Sequence, residues 1–235
     1  MGPHTKFLAI FLAFLPLGIQ SQNVVLQQAL YCARITVRWQ MNTAWSLQAE
    51  AENRRFMAPS EDQQLFVTHL YATYQSKASV GITYGDLNTQ IPDANKSSAE
   101  LYEIRPWQSY TQSLGKWGKW TFSQRLRVEE RLFFQPGASE QSAKRRTALR
   151  GRYLVQTRRL LTPHWTGFCS EELLLQTGRN IEHGFDQNRV MLGLEYRLND
   201  HLNIETSYTW WWQLRQTGSV VFDRDVWRVT LGARI

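Results

Sequence analysis

Cysteine is almost missing from this 235-residue chain: Cys32 and Cys169 are the only two. A stapled secreted domain needs several, so no disulfide framework is present. The two also fall on segments far apart in chain order, and no bridge between them is expected. Lysine is scarce as well, six residues against 21 arginines in a chain of formal net charge +7. A nucleic-acid binder gathers its cations into a tail or patch. Here they are spread at period two among apolar neighbours from Arg34 to Arg234, and no nucleic-acid partner is expected.

Catalytic and ligand signatures are lacking too. There is no His-x-His or Cys-x-x-Cys for zinc, no Gly-x-Ser-x-Gly elbow, and no glycine-rich loop leading from a strand into a helix. Glu61 and Asp62 are too few for a calcium cage. The adjacent pairs Glu129-Glu130 and Glu171-Glu172 point to opposite faces of a strand, so neither pair can serve one reacting atom. No metal, no cofactor and no catalytic residue is expected.

Long apolar runs are confined to the start. MGPHTKFLAIFLAFLPLGIQSQN places His4 and Lys6 before an unbroken apolar stretch from Phe7 to Leu17, then small and polar residues. That stretch is about half the roughly 20 residues that span a membrane, and its flanks are those of a secretory signal peptide. Residues 1–21 are therefore read as a signal peptide cleaved near Ser21, and 22–235 as one domain. Nothing downstream reaches about 18 consecutive apolar residues, so no helix is expected to cross a bilayer. The mean hydropathy of −0.43 suits a soluble chain and a transmembrane barrel alike, because barrels alternate lipid-facing and lumen-facing residues.

What the chain has instead is alternation. In RLRVEERLFF, Arg125, Arg127, Glu129 and Arg131 occupy odd positions, and Leu126, Val128, Glu130, Leu132 and Phe134 even ones. On a helix, residues two apart lie about 200° apart and the charges would smear around the axis; a strand keeps them on one face. Similar segments recur near 29–41, 44–55, 64–75, 78–88, 99–112, 119–133, 145–160, 164–177, 187–198, 201–215 and 223–235, and no helical stripe competes. Short connections such as MNTA, LTPH and RLNDHLN alternate with long ones such as FQPGASEQSAKR and TGRNIEHGFDQ. The pattern predicts an antiparallel up-and-down transmembrane β-barrel with one tight end and one loose end. Eleven segments are counted. With both chain ends on the periplasmic side the number must be even, so a further strand is sought in NVVLQQ, residues 23–28; ten to twelve strands are predicted, twelve preferred.

Parity then assigns the faces. Leu202, Ile204, Thr206, Tyr208, Trp210 and Trp212 oppose Asn203, Glu205, Ser207, Thr209 and Trp211; the first set suits lipid and the second water. The same rule makes a polar, Arg/Glu-rich lumen of Glu103, Arg105, Arg125, Arg127, Glu129, Arg131, Arg150, Arg152, Arg189, Glu195 and Arg197, joined by Arg34, Arg38, Glu50, Glu52, Arg54 and Glu205. Trp45, Trp107, Trp117, Trp120 and Trp165, at strand ends, are predicted to form aromatic girdles at the membrane interfaces. A lumen of this size is intermediate between side-chain-filled small barrels and open porins. A charge lattice there would brace the wall and leave at most a narrow passage for a small anionic solute.

Five motifs carry a resemblance: Glu103-x-Arg105-Pro106-Trp107-Gln108, Arg125-x-Arg127-x-Glu129-x-Arg131, Arg150-x-Arg152-Tyr153, a Glu at 171 or 172, and Asn188-Arg189 leading to Gly193-Leu194-x-Tyr196. In their order and spacing the chain resembles the uncharacterised bacterial outer-membrane barrels grouped as domain of unknown function 2490 (DUF2490). The resemblance implies an exported protein of the bacterial outer membrane, in contact with outer-membrane lipid and inserted by the barrel-assembly machinery, with no assigned reaction. The chain departs from the pattern in ALYCARITVRW near the mature start, and in ending on Ile235 where insertion signals usually finish in an aromatic residue.

The functional expectation is an outer-membrane barrel, structural or narrow-pore, and not an enzyme. The alternative is an outer-membrane lipid-modifying enzyme of acyl-hydrolase type, with His69 as the base for a hydroxyl nucleophile; His164, His183 and His201 fall in connections. N-terminal sequencing of the mature protein should begin close to residue 22, and a retained Met1 would remove the signal-peptide reading.

Overall fold

The computed structural model describes residues 24–57, 62–90, 99–134, 146–178, 181, 184–214 and 220–235. The predicted signal peptide and His183 lie outside the described residues. All regular structure in them is β: β1 (Val24–Gln40), β2 (Trp45–Phe56), β3 (Asp62–Tyr74), β4 (Ala78–Gln90), β5 (Ala99–Trp117), β6 (Trp120–Phe134), β7 (Arg146–Leu160), β8 (Trp165–Gly178), β9 (Phe185–Arg197), β10 (Leu202–Leu214) and β11 (Val220–Arg234). Each pairs antiparallel with its neighbours in sequence, and β1 closes the barrel against β11 in parallel, from Val24 opposite Val220 to Arg38 opposite Arg234.

The preferred count of twelve is thus corrected to eleven, within the predicted range. Val24–Gln28 do not form a separate strand but lengthen β1, because NVVLQQ holds no Gly, Pro or Asp to reverse the chain. An odd number turns the first and last strands the same way. β1 therefore starts at the rim of the long connections and β11 ends at the rim of the short ones, not both at one rim as expected.

The tight end is built by side chains that mimic backbone. In the β1–β2 turn Asn42 Oδ1 accepts the N–H groups of Ala44 and Trp45, both at 2.9 Å. In the β9–β10 turn Asn199 Oδ1 accepts those of His201 and Leu202, both at 2.8 Å. Thr162 does the same for His164 and Trp165 at 3.3 and 3.1 Å. Short hydroxyl and amide side chains favour such local bonds, so these residues fix both the reversal and the register of the strands that follow.

Burial follows parity. On β6 Glu129 is 2% exposed while Leu126 and Val128 are 59% and 44% exposed. Ile35, Leu70, Ile82, Leu192, Val229 and Leu231 are likewise exposed, on the outer face. Cys32 is buried in the interior and Cys169 belongs to the opposite face; both are free thiols. Most of the outer face is apolar, with charged exceptions such as Glu130 and Glu171, and the arginines and glutamates cluster inside.

One predicted girdle residue is corrected. Trp107 shares the parity of Glu103 and Arg105 and turns inward, 5% exposed. Its indole N–H donates to Thr83 Oγ1 at 3.1 Å, and the Arg127 guanidinium lies 3.8 Å from its ring centre. Gly81, directly across on β4, makes the room: a Cβ there would collide with Tyr71 Cβ and stand 2.7 Å from Trp107 Cζ2. Gly81→Val should therefore destabilise the barrel by about 1–3 kcal/mol through overpacking, read as a lower urea midpoint in detergent micelles; an unchanged midpoint would show that Trp107 is loosely seated.

Candidate functional site

The interior is organised around a few glutamates, each surrounded by arginines from several strands. Glu129 lies directly opposite Arg150 across the β6–β7 ladder. It accepts from Arg150 Nε at 2.9 Å and from Arg152 Nη1 at 2.7 Å, and Arg127 Nη1 is 3.6 Å away. Arg150 is itself 2% exposed and has a second carboxylate, Asp186, at 3.3 Å. Asp186 reaches it because β9 carries one extra residue where Leu174 pairs with Gln187 but Leu175 with Phe185, and such a bulge re-aims a side chain.

Arg152 bridges to the next centre. Its Nε and Nη2 bond the two oxygens of Glu172 at 3.1 and 2.7 Å, the two-pronged geometry that a planar guanidinium favours. Arg125 reaches Glu172 from β6 at 2.9 Å, and Arg189 from β9 at 3.9 Å. Across the barrel Glu52, 1% exposed, binds Arg34 Nε at 2.6 Å and Arg54 beside it, and has Arg228 at 3.9 Å. Since Arg34 is on β1 and Arg228 on β11, Glu52 spans the parallel seam from inside. Glu103 holds Arg131 at 2.5 Å and Arg105 at 3.6 Å.

Ten of the eleven residues predicted for the lumen lattice face the interior; Arg125, Arg127, Glu129, Arg150, Arg152 and Arg189 join through the Glu129 and Glu172 centres, and Glu103, Arg105 and Arg131 form a centre of their own. Glu195 instead forms a separate pair with Arg158 at 2.5 Å towards the short-turn end. Arg197 is corrected: it lies exposed at the rim and donates to the Pro163 carbonyl at 2.9 Å, because strand parity stops constraining a side chain where the strand ends. Asp186 and Arg158 are not among the predicted lattice residues, and the predicted centre at 171 or 172 is open between the two. Glu172 is the inward one; Glu171 turns outward and accepts from Asn188 Nδ2 at 3.0 Å.

Two cavities flank the lattice. The upper, on the long-connection side, has 220 Å³; the lower has 330 Å³. Arg54, Arg105, Arg189 and Trp211 line both, and so form the partition between them. Trp211 is held there by guanidiniums: Arg189, Arg224 and Arg54 lie 4.1, 4.9 and 5.7 Å from its ring centre, a favourable cation–π arrangement. Together eleven arginines and five glutamates line the two spaces. In the lower cavity His69 Nδ1 is 2.6 Å from Thr83 Oγ1, and Tyr71 donates its hydroxyl to Glu50 at 2.8 Å.

A family profile described as "Protein of unknown function (DUF2490)" matches residues 33–221. The chain belongs to the DUF2490 family. No curated protein matches it in sequence. The DUF2490 span holds all four central glutamates, Glu52, Glu103, Glu129 and Glu172, with Arg150 and Arg152, while the seam partner Arg228 lies beyond it.

Removing one member of the Glu129–Arg150 pair leaves a buried charge uncompensated. Glu129→Gln should cost about 3–5 kcal/mol, seen as loss of the compact, heat-modifiable band at lower urea. The double change Glu129→Leu with Arg150→Met should cost less than the single one. Equal losses would show that the pair is not coupled.

Proposed function

We propose that this DUF2490 protein is an exported bacterial outer-membrane β-barrel, non-enzymatic, whose interior charge lattice braces the wall and leaves at most a narrow, anion-leaning passage. The observation that carries the reading is the inverted polarity: ion pairs enclosed, aliphatic side chains outward. A soluble barrel has the reverse arrangement, whereas a barrel in lipid must present an apolar exterior.

The outward face also has the proportions of a membrane belt. On β1, Tyr31 and Trp39 bracket Ala33, Ile35 and Val37. Eight residues span about 26 Å along a strand, or about 20 Å along the axis at the usual tilt of transmembrane strands, close to the roughly 25 Å apolar band of such barrels. Aromatic pairs mark both margins: Trp45–Tyr74 at 5.0 Å and Trp165–Tyr196 at 4.8 Å near the short turns, Tyr84–Tyr102 at 6.1 Å towards the other rim. The short-turn rim exposes Lys77, Lys116, Lys119, Arg159, Arg197 and Arg234, cations suited to anionic headgroups.

The surplus of arginine over glutamate around the cavities favours anions, and the Trp211 partition accounts for the narrowness. The acyl-hydrolase alternative loses support from the position of its base. His69 pairs with Thr83 inside the barrel, where acyl chains packed against the outer face do not reach, and Thr83 Oγ1 also accepts the Trp107 indole N–H.

Membranes washed with carbonate should retain the protein in the outer-membrane fraction; release into the wash would sink the membrane assignment. In planar bilayers Trp211→Ala should raise conductance several-fold over the native barrel, with a reversal potential displaced towards anions. Native and variant traces that both match the bare bilayer would remove the passage and leave only the brace.

A further inference from the structure

The upper cavity has two unlike walls. Leu30, Phe56, Leu65, Leu87, Leu101 and Phe133 line one side, one inward residue from each of six consecutive strands, β1 to β6. They meet in register: Leu30 is opposite Phe56, Leu65 opposite Leu87, and Leu87 opposite Leu101. The other side, from β7 to β11, offers amides and guanidiniums, Arg150, Gln187, Arg189, Gln213 and Arg224, with Trp211 between, and beneath the apolar row β2, β5 and β6 add Arg54, Glu103, Arg105 and Arg131. Over the whole lining six guanidiniums face a single carboxylate, Glu103.

Bracing accounts for Arg54, Arg131 and Arg150, each held by a carboxylate of the lattice, but neither bracing nor conduction accounts for the apolar row. Barrel interiors in the outer membrane are polar, and six adjacent apolar positions at one level break that rule. A passage for small ions gains nothing from a half-cylinder of Leu and Phe, which strips hydration and offers no replacement. Two of the cations, Arg105 and Arg189, are under-served. Arg105 and Arg131 share Glu103, and the Nε atoms of Arg105 and Arg189 are buried with no hydrogen-bond partner among the described residues. Both residues also line the cavity, so an anionic acceptor there would meet cations whose own hydrogen bonding is incomplete.

The geometry points to the upper cavity as a binding site for an anionic amphiphile, a compound with a carboxylate or similar head and a short apolar tail. The head would sit against the guanidiniums of the partition, Arg105 and Arg189 first, and the tail along the apolar half-wall. The 220 Å³ of space equals about seven waters, enough for a head group and several carbons. Apolar surface beside convergent polar groups is what a small-molecule site offers an amphiphile.

The test uses the full barrel in nonionic detergent and isothermal titration with three probes: octanoate, octanol and acetate. Octanoate should bind saturably at one site per barrel, with octanol and acetate each at least tenfold weaker, because each lacks one half of the complementarity. Leu87→Ser should weaken octanoate at least tenfold and leave acetate as it was. Arg105→Gln should weaken both anions, and the outward change Glu130→Gln should alter neither. Octanol equal to octanoate would reduce the cavity to a greasy space, and acetate equal to octanoate to a bare anion site; either overturns the proposal. The comparison among probes on the native protein stands even if a variant fails to fold.

Discussion

A carboxylate enclosed by protein is tolerable only when cations meet it at close range and in good geometry, and every central strand here is bound to that condition. Taking the glutamates at 52, 129 and 172 out of water costs several kcal/mol each unless the pairs are well made. The arginine fork answers this better than lysine, because its planar group serves two carboxylates at once, as Arg152 does for Glu129 and Glu172. The scarcity of lysine in the composition has its physical cause here: the interior cations lie flat between carboxylates or against rings, and an ammonium does neither as well.

The same condition makes the interior a framework that joins strands distant in order. Glu172 on β8 draws on β6, β7 and β9; Glu129 on β6 draws on β7, whose Arg150 adds β9 through Asp186. Backbone ladders fix each strand only to its two neighbours. The side-chain network reaches one strand further and makes relative sliding costly, since a one-residue slip would turn the sliding strand's inward arginines outward.

Much of this was legible in the sequence because the strand period is two with no remainder: once RLRVEERLFF is placed on a sheet, the compartment of Arg127 and Leu126 follows. Strand number was less accessible. NVVLQQ alternates no better as a separate strand than as an extension of β1, and only the lack of a turn between them decides it. By residue type Trp107 suits a girdle, but its parity with Arg105 places it inside. Glu171 and Glu172 are locally equivalent, so which of them is the centre depends on the frame of the whole strand. Asp186 could not be found by counting, because a bulge resets parity from that point. The partition at Trp211 and the two-faced upper cavity depend on residues gathered from many strands, which no local window contains.

The parallel seam has a kinetic meaning. Ten of the eleven strand pairings join neighbours in sequence and can form as local hairpins, but β1 must find β11, with Arg224 bonding Gln28 across 196 positions of chain. Closure is the one step with a large loop entropy, and long-range pairing of this kind is slow. Until it happens two long edges stand open to foreign strands. Glu52, which holds Arg34 from one side of that joint and has Arg228 near from the other, thus acts as a clasp for the last event of assembly, and the barrel should be most easily prised apart where that clasp is loosened.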